Sequence, residues 1–201
     1  MTLNFILIAI AGFFLGVSMA APPGPVMTMI MNRALVSVKS GFWVGMGAMT
    51  ADLILLAIVY ELNASINLTL VEPFIFLLGG FYFIYLGIKI FRSINEDEKG
   101  IVEEEKLHYS FSKGLTTGLV NPMQIGWWLT AGLSVIESDG ITTFYFFYAG
   151  IIAYVVLISF MINKSYLKFG EMLKYGVSVF SLFVLTGFGI YFIYSFILIA
   201  G

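Results

Sequence analysis

Residues 20–28 read Ala20-Ala21-Pro22-Pro23-Gly24-Pro25-Val26-Met27-Thr28, inside a stretch from Met1 to Asn32 that carries no charged side chain. About 20 apolar residues cross the bilayer core, so a run this long is read as a membrane helix. Proline removes a backbone donor and clashes with the preceding turn, so Pro22-Pro23-Gly24-Pro25 cannot be continuous α-helix. Inside a bilayer, the backbone groups freed by such a break are satisfied only by neighbouring protein or a wet cavity. The stretch predicts a membrane helix broken at a cavity.

The whole chain agrees with the class. Its 201 residues are 60% hydrophobic and 11% charged, with 10 Lys+Arg against 12 Asp+Glu, and the mean hydropathy is +0.97. A soluble domain carries about 25% charge, so this chain cannot cover itself with a water-compatible surface. Disorder, which needs low hydrophobicity and high charge, is excluded by the same numbers. The absence of cysteine removes disulfides, thiolate metal sites and thiol redox chemistry. A net charge of −2 with no basic patch argues against a nucleic-acid partner. The partner that remains is the lipid bilayer, and the fold class is an all-α, multi-pass membrane protein.

Charge-free stretches map six spans, near 5–31, 41–60, 73–91, 114–136, 141–162 and 175–199. The first lacks a basic leading region and is too long for a signal-peptide core, so it is expected to stay as span 1. All ten basic residues fall in or beside the loops after spans 1, 3 and 5, from Arg33 and Lys39 to Lys164, Lys168 and Lys174. The opposite loops hold only Glu61, Glu72, Glu137 and Asp139. The positive-inside rule then places both termini outside the cytoplasmic membrane.

One charged segment, 92–113, divides the chain into residues 1–91 and 114–201, three spans each. It reads as a solvated cytoplasmic linker. Three is odd, so a second copy of the unit would enter the membrane from the opposite face, as in inverted-repeat transporters. The breakers correspond: Pro22, Pro23 and Pro25 interrupt span 1, Asn121-Pro122 interrupts span 4, and Pro73 opens span 3. The expected architecture is six transmembrane helices in two inverted three-helix repeats with broken first helices.

Each break lies about 12 Å from the cytoplasmic boundary at 1.5 Å per residue. The half-helix from Pro25 aims its N-terminus outward, and the one from Pro122 aims its N-terminus inward. Amides of Val26, Met27 and Thr28 would meet those of Met123, Gln124 and Ile125 as a focus for an anion. Asp52 supplies the opposite sign. It is the only acid well inside a predicted span, and no Lys, Arg or His shares the membrane with it. Such a residue faces the bundle interior and carries function, either protonated or paired with an incoming cation. Gly12/Gly16, Gly41/Gly45 and Gly114/Gly118 are small-residue faces for close helix packing. Trp127-Trp128 suits either the site or an interfacial anchor.

At these residues the chain resembles the lysine exporter family of amino-acid transporters, which includes the homoserine and threonine exporters. The match runs in order along the chain: Pro23-Gly24-Pro25, then Gly45, Gly47 and Asp52, then Leu86-Gly87-Ile88-Lys89, an acidic linker, and Phe111-x-x-Gly114-Leu115 before Asn121-Pro122. Val26 and Met123 depart from it, standing where the family commonly has a polar residue and a lysine. The resemblance implies proton-driven efflux of amino acids or similar small zwitterions, often as a homodimer, with Pro23, Gly24, Pro25, Asp52, Asn121 and Pro122 at the site. The residues alone add Val26, Met27 and Gln124, and make Asp52 the proton-coupling group.

Two other classes compete. A metal-cation exporter has relatives of this fold in its favour, but no cysteine and one linker histidine, His108, for soft-metal ligation. A non-transporting assembly protein would be indifferent to Asp52. One isolated acid does not make an enzyme, and nothing in the sequence calls for a metal site or a cofactor.

Overall fold

Proline, glycine and asparagine decide where the helices of this chain stop. The computed structural model describes residues 2–62, 68–92, 107–128 and 133–200, with side chains described at 5–58, 73–92, 107–128 and 143–199. The elements are α1 (Thr2–Ala20), α2 (Pro25–Val36), α3 (Val38–Leu62), α4 (Leu68–Arg92), α5 (Leu107–Leu119), α6 (Pro122–Trp127), α7 (Leu133–Phe169) and α8 (Glu171–Ala200). No strand occurs among the described residues.

Among the described residues, four helices are long and apolar enough to cross a membrane: Val38–Ile58, Pro73–Arg92, Thr143–Phe169 and Glu171–Ile199. The pair Phe5–Ala20 and Pro25–Val36, bent by 80°, makes a fifth crossing if it forms one span. This is fewer than the six spans of the hydropathy map, and the difference sits at 114–136. There α5 ends at Leu119, α6 lasts 6 residues, and α7 is already helical at Leu133.

Other expected boundaries also move, for one reason. The expected loop at 137–140 is backbone helix within the 37 residues of α7, and the side chains of Glu137 and Asp139 lie outside the described residues, as do those of Glu61 and Glu72. The last part of the expected linker, 107–113, is the start of α5, while 93–106 lie outside the described residues. Pro73 does not open its helix but stands inside α4. Charge marks where a membrane ends without breaking a helix. Glycine does break one at 170, where φ of 51° turns α7 into α8 and the Gly170 amide donates to the Tyr166 carbonyl over 2.8 Å.

Small residues let the helices approach closely. In α1, Gly12 lies against the Thr143 carbonyl and Gly16 against that of Phe147, so α1 and α7 run parallel. Gly150 of α7 lies in turn against the Phe13 carbonyl. Between α5 and α3 the same arrangement recurs: Gly114 against the Val44 carbonyl, Gly118 against Ala48 and Ala51, and Gly47 against the Phe111 carbonyl. In α4 and α8, which run antiparallel, Gly80 and Gly189 each face the other's carbonyl. At all of these but Gly118 a Cβ would press on a backbone carbonyl, which cannot yield as a side-chain tip can. The small-residue faces expected at Gly12/Gly16 and Gly114/Gly118 are thus used within the chain, as are Gly41 against Ser159 and Gly45 against Val155.

The bent element α2 packs among α3, α7 and α8. Polar side chains tie it there. Asn163 donates to the Ala34 carbonyl over 3.0 Å, Asn32 donates to Ser181 Oγ, and Tyr154 donates to the Ala21 carbonyl at the break over 3.4 Å. The outward faces of α4 and α8 carry exposed Phe74, Leu78, Phe81, Phe183 and Leu198, a surface suited to lipid.

Candidate functional site

Where the helices break, the bundle forms a partly open cavity of about 270 Å³. The end of α1, the 21–24 break, the first turns of α2, the middle of α3, the Asn121 break and α6 all border it, with α7 and α8 closing the remaining wall. Pro23, Gly24, Pro25, Val26, Met27, Asp52, Asn121 and Gln124 line it. Of the site residues expected from sequence, Pro122 does not. It is buried, and its ring lies where a Cβ on Gly79 of α4 would touch it.

Asp52, 5% exposed, lies near the middle of α3. Two neutral donors converge on its Oδ1: Trp128 Nε1 at 2.6 Å and Gln124 Nε2 at 2.7 Å. Gln124 Nε2 also donates to the Ala48 carbonyl one turn earlier in α3, at 3.3 Å. The local sequence explains why both donors arrive together. Asn121 caps α6, Pro122 takes the first helical position that suits it, and Gln124 and Trp128 are four residues apart on one face. Gly118, just before the break, lets α5 settle on Ala48 and Ala51, and a Cβ there would press on the Gln124 amide. Hydrogen bonds to a charged partner are roughly twice as strong as neutral pairs, so this pair of donors fixes the carboxylate in place.

Behind the donors lies an aromatic wall. Trp127 lines the cavity and stacks on Phe147 at 5.4 Å and 10°. Trp128 is 1% exposed and meets Phe144 and Phe147 edge-on. Of the two places the sequence left open for Trp127-Trp128, the structure puts both at the site: Trp127 lines the cavity and Trp128 donates to Asp52.

The expected anion focus needs correction at both helix starts. The Thr28 amide donates to the Gly24 carbonyl over 2.9 Å, and the Thr28 hydroxyl reaches the same oxygen over 2.7 Å. In α6, the Met123 amide donates to Asn121 Oδ1 over 3.2 Å, and the Gln124 and Ile125 amides both donate to the Asn121 carbonyl over 3.1 Å. The α6 terminus is capped by its own asparagine and offers no amide. At α2 the cap is Gly24, which has no side-chain hydrogen bond to give, and Pro25 has no N–H. The first-turn donors that remain are the amides of Val26 and Met27, two residues that line the cavity.

Sequence reasoning also passed over much of the wall: Met19, Met49, Ile151, Val155 and Phe188 line the cavity. Apolar residues in an apolar helix look alike from sequence, and only the packing separates those that face lipid from those that face the cavity.

A family model described as LysE type translocator matches residues 17–196, a span that holds both breaks, Asp52 and the cavity wall. No curated protein and no solved structure matches the chain.

Proposed function

The chain belongs to the LysE type translocator family, and on that premise we propose that it is a secondary exporter coupling amino-acid efflux to inward proton movement. Members of that family translocate amino acids or related compounds across membranes and are not enzymes. In the proposed cycle the substrate's α-ammonium pairs with Asp52 and its carboxylate rests on the Val26 and Met27 amides. A proton arriving at Asp52 removes the partner of the ammonium and releases the substrate.

The observation that carries this reading is a single buried acid, oriented by two donors, on the wall of a cavity formed by two helix breaks. A buried ionisable group that lines a cavity within the membrane is the usual form of a substrate or proton site. The helix N-terminus at α2 supplies the complementary sign a few residues away in the same wall.

We further propose that alternating access rocks two inverted three-helix repeats, 1–91 and 114–201, about this site, with 92–113 joining them. The glycine seams support it. Exchanging α1, α3 and α4 for α5, α7 and α8 turns Gly16 on Phe147 into Gly114 on Val44, and Gly150 on Phe13 into Gly47 on Phe111, while Gly80 and Gly189 swap places. The parallel pairs α1/α7 and α3/α5 and the antiparallel pair α4/α8 are the directions that six crossings require. With the basic residues confined to alternate loops, the positive-inside rule favours both termini outside the cell membrane.

The test is efflux from proteoliposomes loaded with labelled amino acid under an imposed proton gradient, with wild type beside Asp52→Asn. The amide keeps an oxygen for Trp128 and Gln124, so the fold is retained while the charge is gone. Gradient-driven efflux should fall about a hundredfold, the upper range for a charged hydrogen bond. Efflux indifferent to the substitution would sink the mechanism and favour a protein for which Asp52 is packing alone.

A further inference from the structure

The exporter reading leaves the substrate unnamed, and the cavity wall narrows it. Resting on that reading, we propose that the substrate is an amino acid with an apolar side chain of about leucine or methionine size.

Asp52 is the one charged side chain among the described residues that line the cavity, and the ammonium of any α-amino acid occupies it. A second cationic group, as on lysine, has no acid left to meet. Of the polar side chains nearest Asp52, Gln124 commits its Nε2 to Asp52 and the Ala48 carbonyl, and Asn121 commits its Oδ1 to the Met123 amide, so each amide keeps one polar atom at most for a substrate. A substrate hydroxyl or carboxylate placed beyond them enters apolar surface without a partner, which is unfavourable for any buried polar group.

That surface is built for an apolar chain. Met19, Met27, Met49 and Met123 come from four separate elements, α1, α2, α3 and α6, and Ile151 and Val155 come from α7. Methionine is flexible and polarisable, so four of them around one cavity accept branched and straight side chains alike. Size favours the same class. A closed cavity of about 150 Å³ binds benzene, with its six heavy atoms. One of about 270 Å³, partly open, holds roughly eleven heavy atoms by the same ratio. Leucine and methionine fit within it whole, and tryptophan does not.

Two readouts on the full chain test this. The first compares efflux of leucine, methionine, threonine, lysine and tryptophan from proteoliposomes under one gradient. Leucine and methionine should leave at least about tenfold faster than the other three, the discrimination that apolar contacts of this size supply. The second follows tryptophan fluorescence in the Trp43→Phe background, where Trp127 and Trp128 alone report, during titration with leucine. Leucine should shift the emission, and threonine and lysine should not. Export of lysine or threonine as fast as leucine overturns the substrate class and leaves the exporter standing. A leucine-dependent shift without gradient-driven efflux keeps the class and overturns the exporter. If leucine neither shifts the emission nor crosses the membrane, the substrate class is wrong.

Discussion

Between α1 and α2 the chain leaves helix on two prolines, turns through 80° and resumes at Pro25 behind a glycine that cannot cap. Between α5 and α6 it leaves helix at Leu119 and resumes at Pro122 behind an asparagine that caps at once. Both breaks border one cavity, yet they give it different things. The first leaves the Val26 and Met27 amides open, a weak positive pole. The second closes its own amides and contributes side chains instead, Gln124 and Trp128, which hold the negative pole at Asp52. A backbone break serves as a ligand only where no side chain satisfies it. One asparagine is enough to convert a helix terminus from a binding element into a positioning one.

This contrast has meaning because the framework around the two breaks is alike, and that is where the largest effect is expected. Gly16→Val and Gly114→Val each drive a side chain into a carbonyl of the neighbouring helix, Phe147 in one case and Val44 in the other. Overpacking against backbone costs about 3 kcal/mol, so both variants should lose thermal stability in detergent by matching amounts. A large loss at one glycine with none at the other breaks the pairing of the two halves.

A smaller effect separates the poles themselves. Trp128→Phe keeps the aromatic packing on Phe144 and Phe147 and removes the 2.6 Å donor to Asp52. A hydrogen bond to a charged group contributes about 2 kcal/mol, or roughly thirtyfold. The efficiency of substrate efflux should fall by about that factor, while the melting temperature falls less than in the glycine variants. Unchanged efflux would mean that Gln124 alone positions the carboxylate, and that the second break contributes one side chain rather than two.

Much of this was readable beforehand because proline and charge act locally. Pro22-Pro23-Gly24-Pro25, Asn121-Pro122 and Asp52 announce themselves whatever surrounds them, and Gln124 follows from its place one turn beyond the second break. Helix ends were less legible. Charged residues at 107–113 and 137–140 end an apolar run while leaving the backbone helical. The expected anion focus failed at α6 for a related reason, since an asparagine that marks a break also fills it. Trp128 could not be told from an interfacial anchor, because its identity suits both and only the position of Asp52 decides. The apolar lining from α7 and α8 gave no signal at all, since Ile151, Val155 and Phe188 face the cavity from helices that are apolar on every side.

The smallest effects compare the two caps directly. Asn121→Ala removes the side chain that accepts from the Met123 amide, and loss of such a cap costs about 1 kcal/mol. Gly24→Ala should cost only a few tenths of that. Its φ of −153° is extended backbone that any residue adopts, and a Cβ there meets only the Pro22 carbonyl at 3.9 Å. The bend is set by the prolines, so thermal melts in detergent should rank Asn121→Ala below Gly24→Ala. Transport should rank them more closely. Gly24 stands two residues before the open amides and lines the cavity beside them, so a methyl there narrows the approach of a carboxylate to Val26 and Met27. A Gly24→Ala protein with native stability and impaired amino-acid efflux would place the substrate carboxylate at the first break. Native efflux from the same protein would move it elsewhere in the cavity and leave the open amides to water.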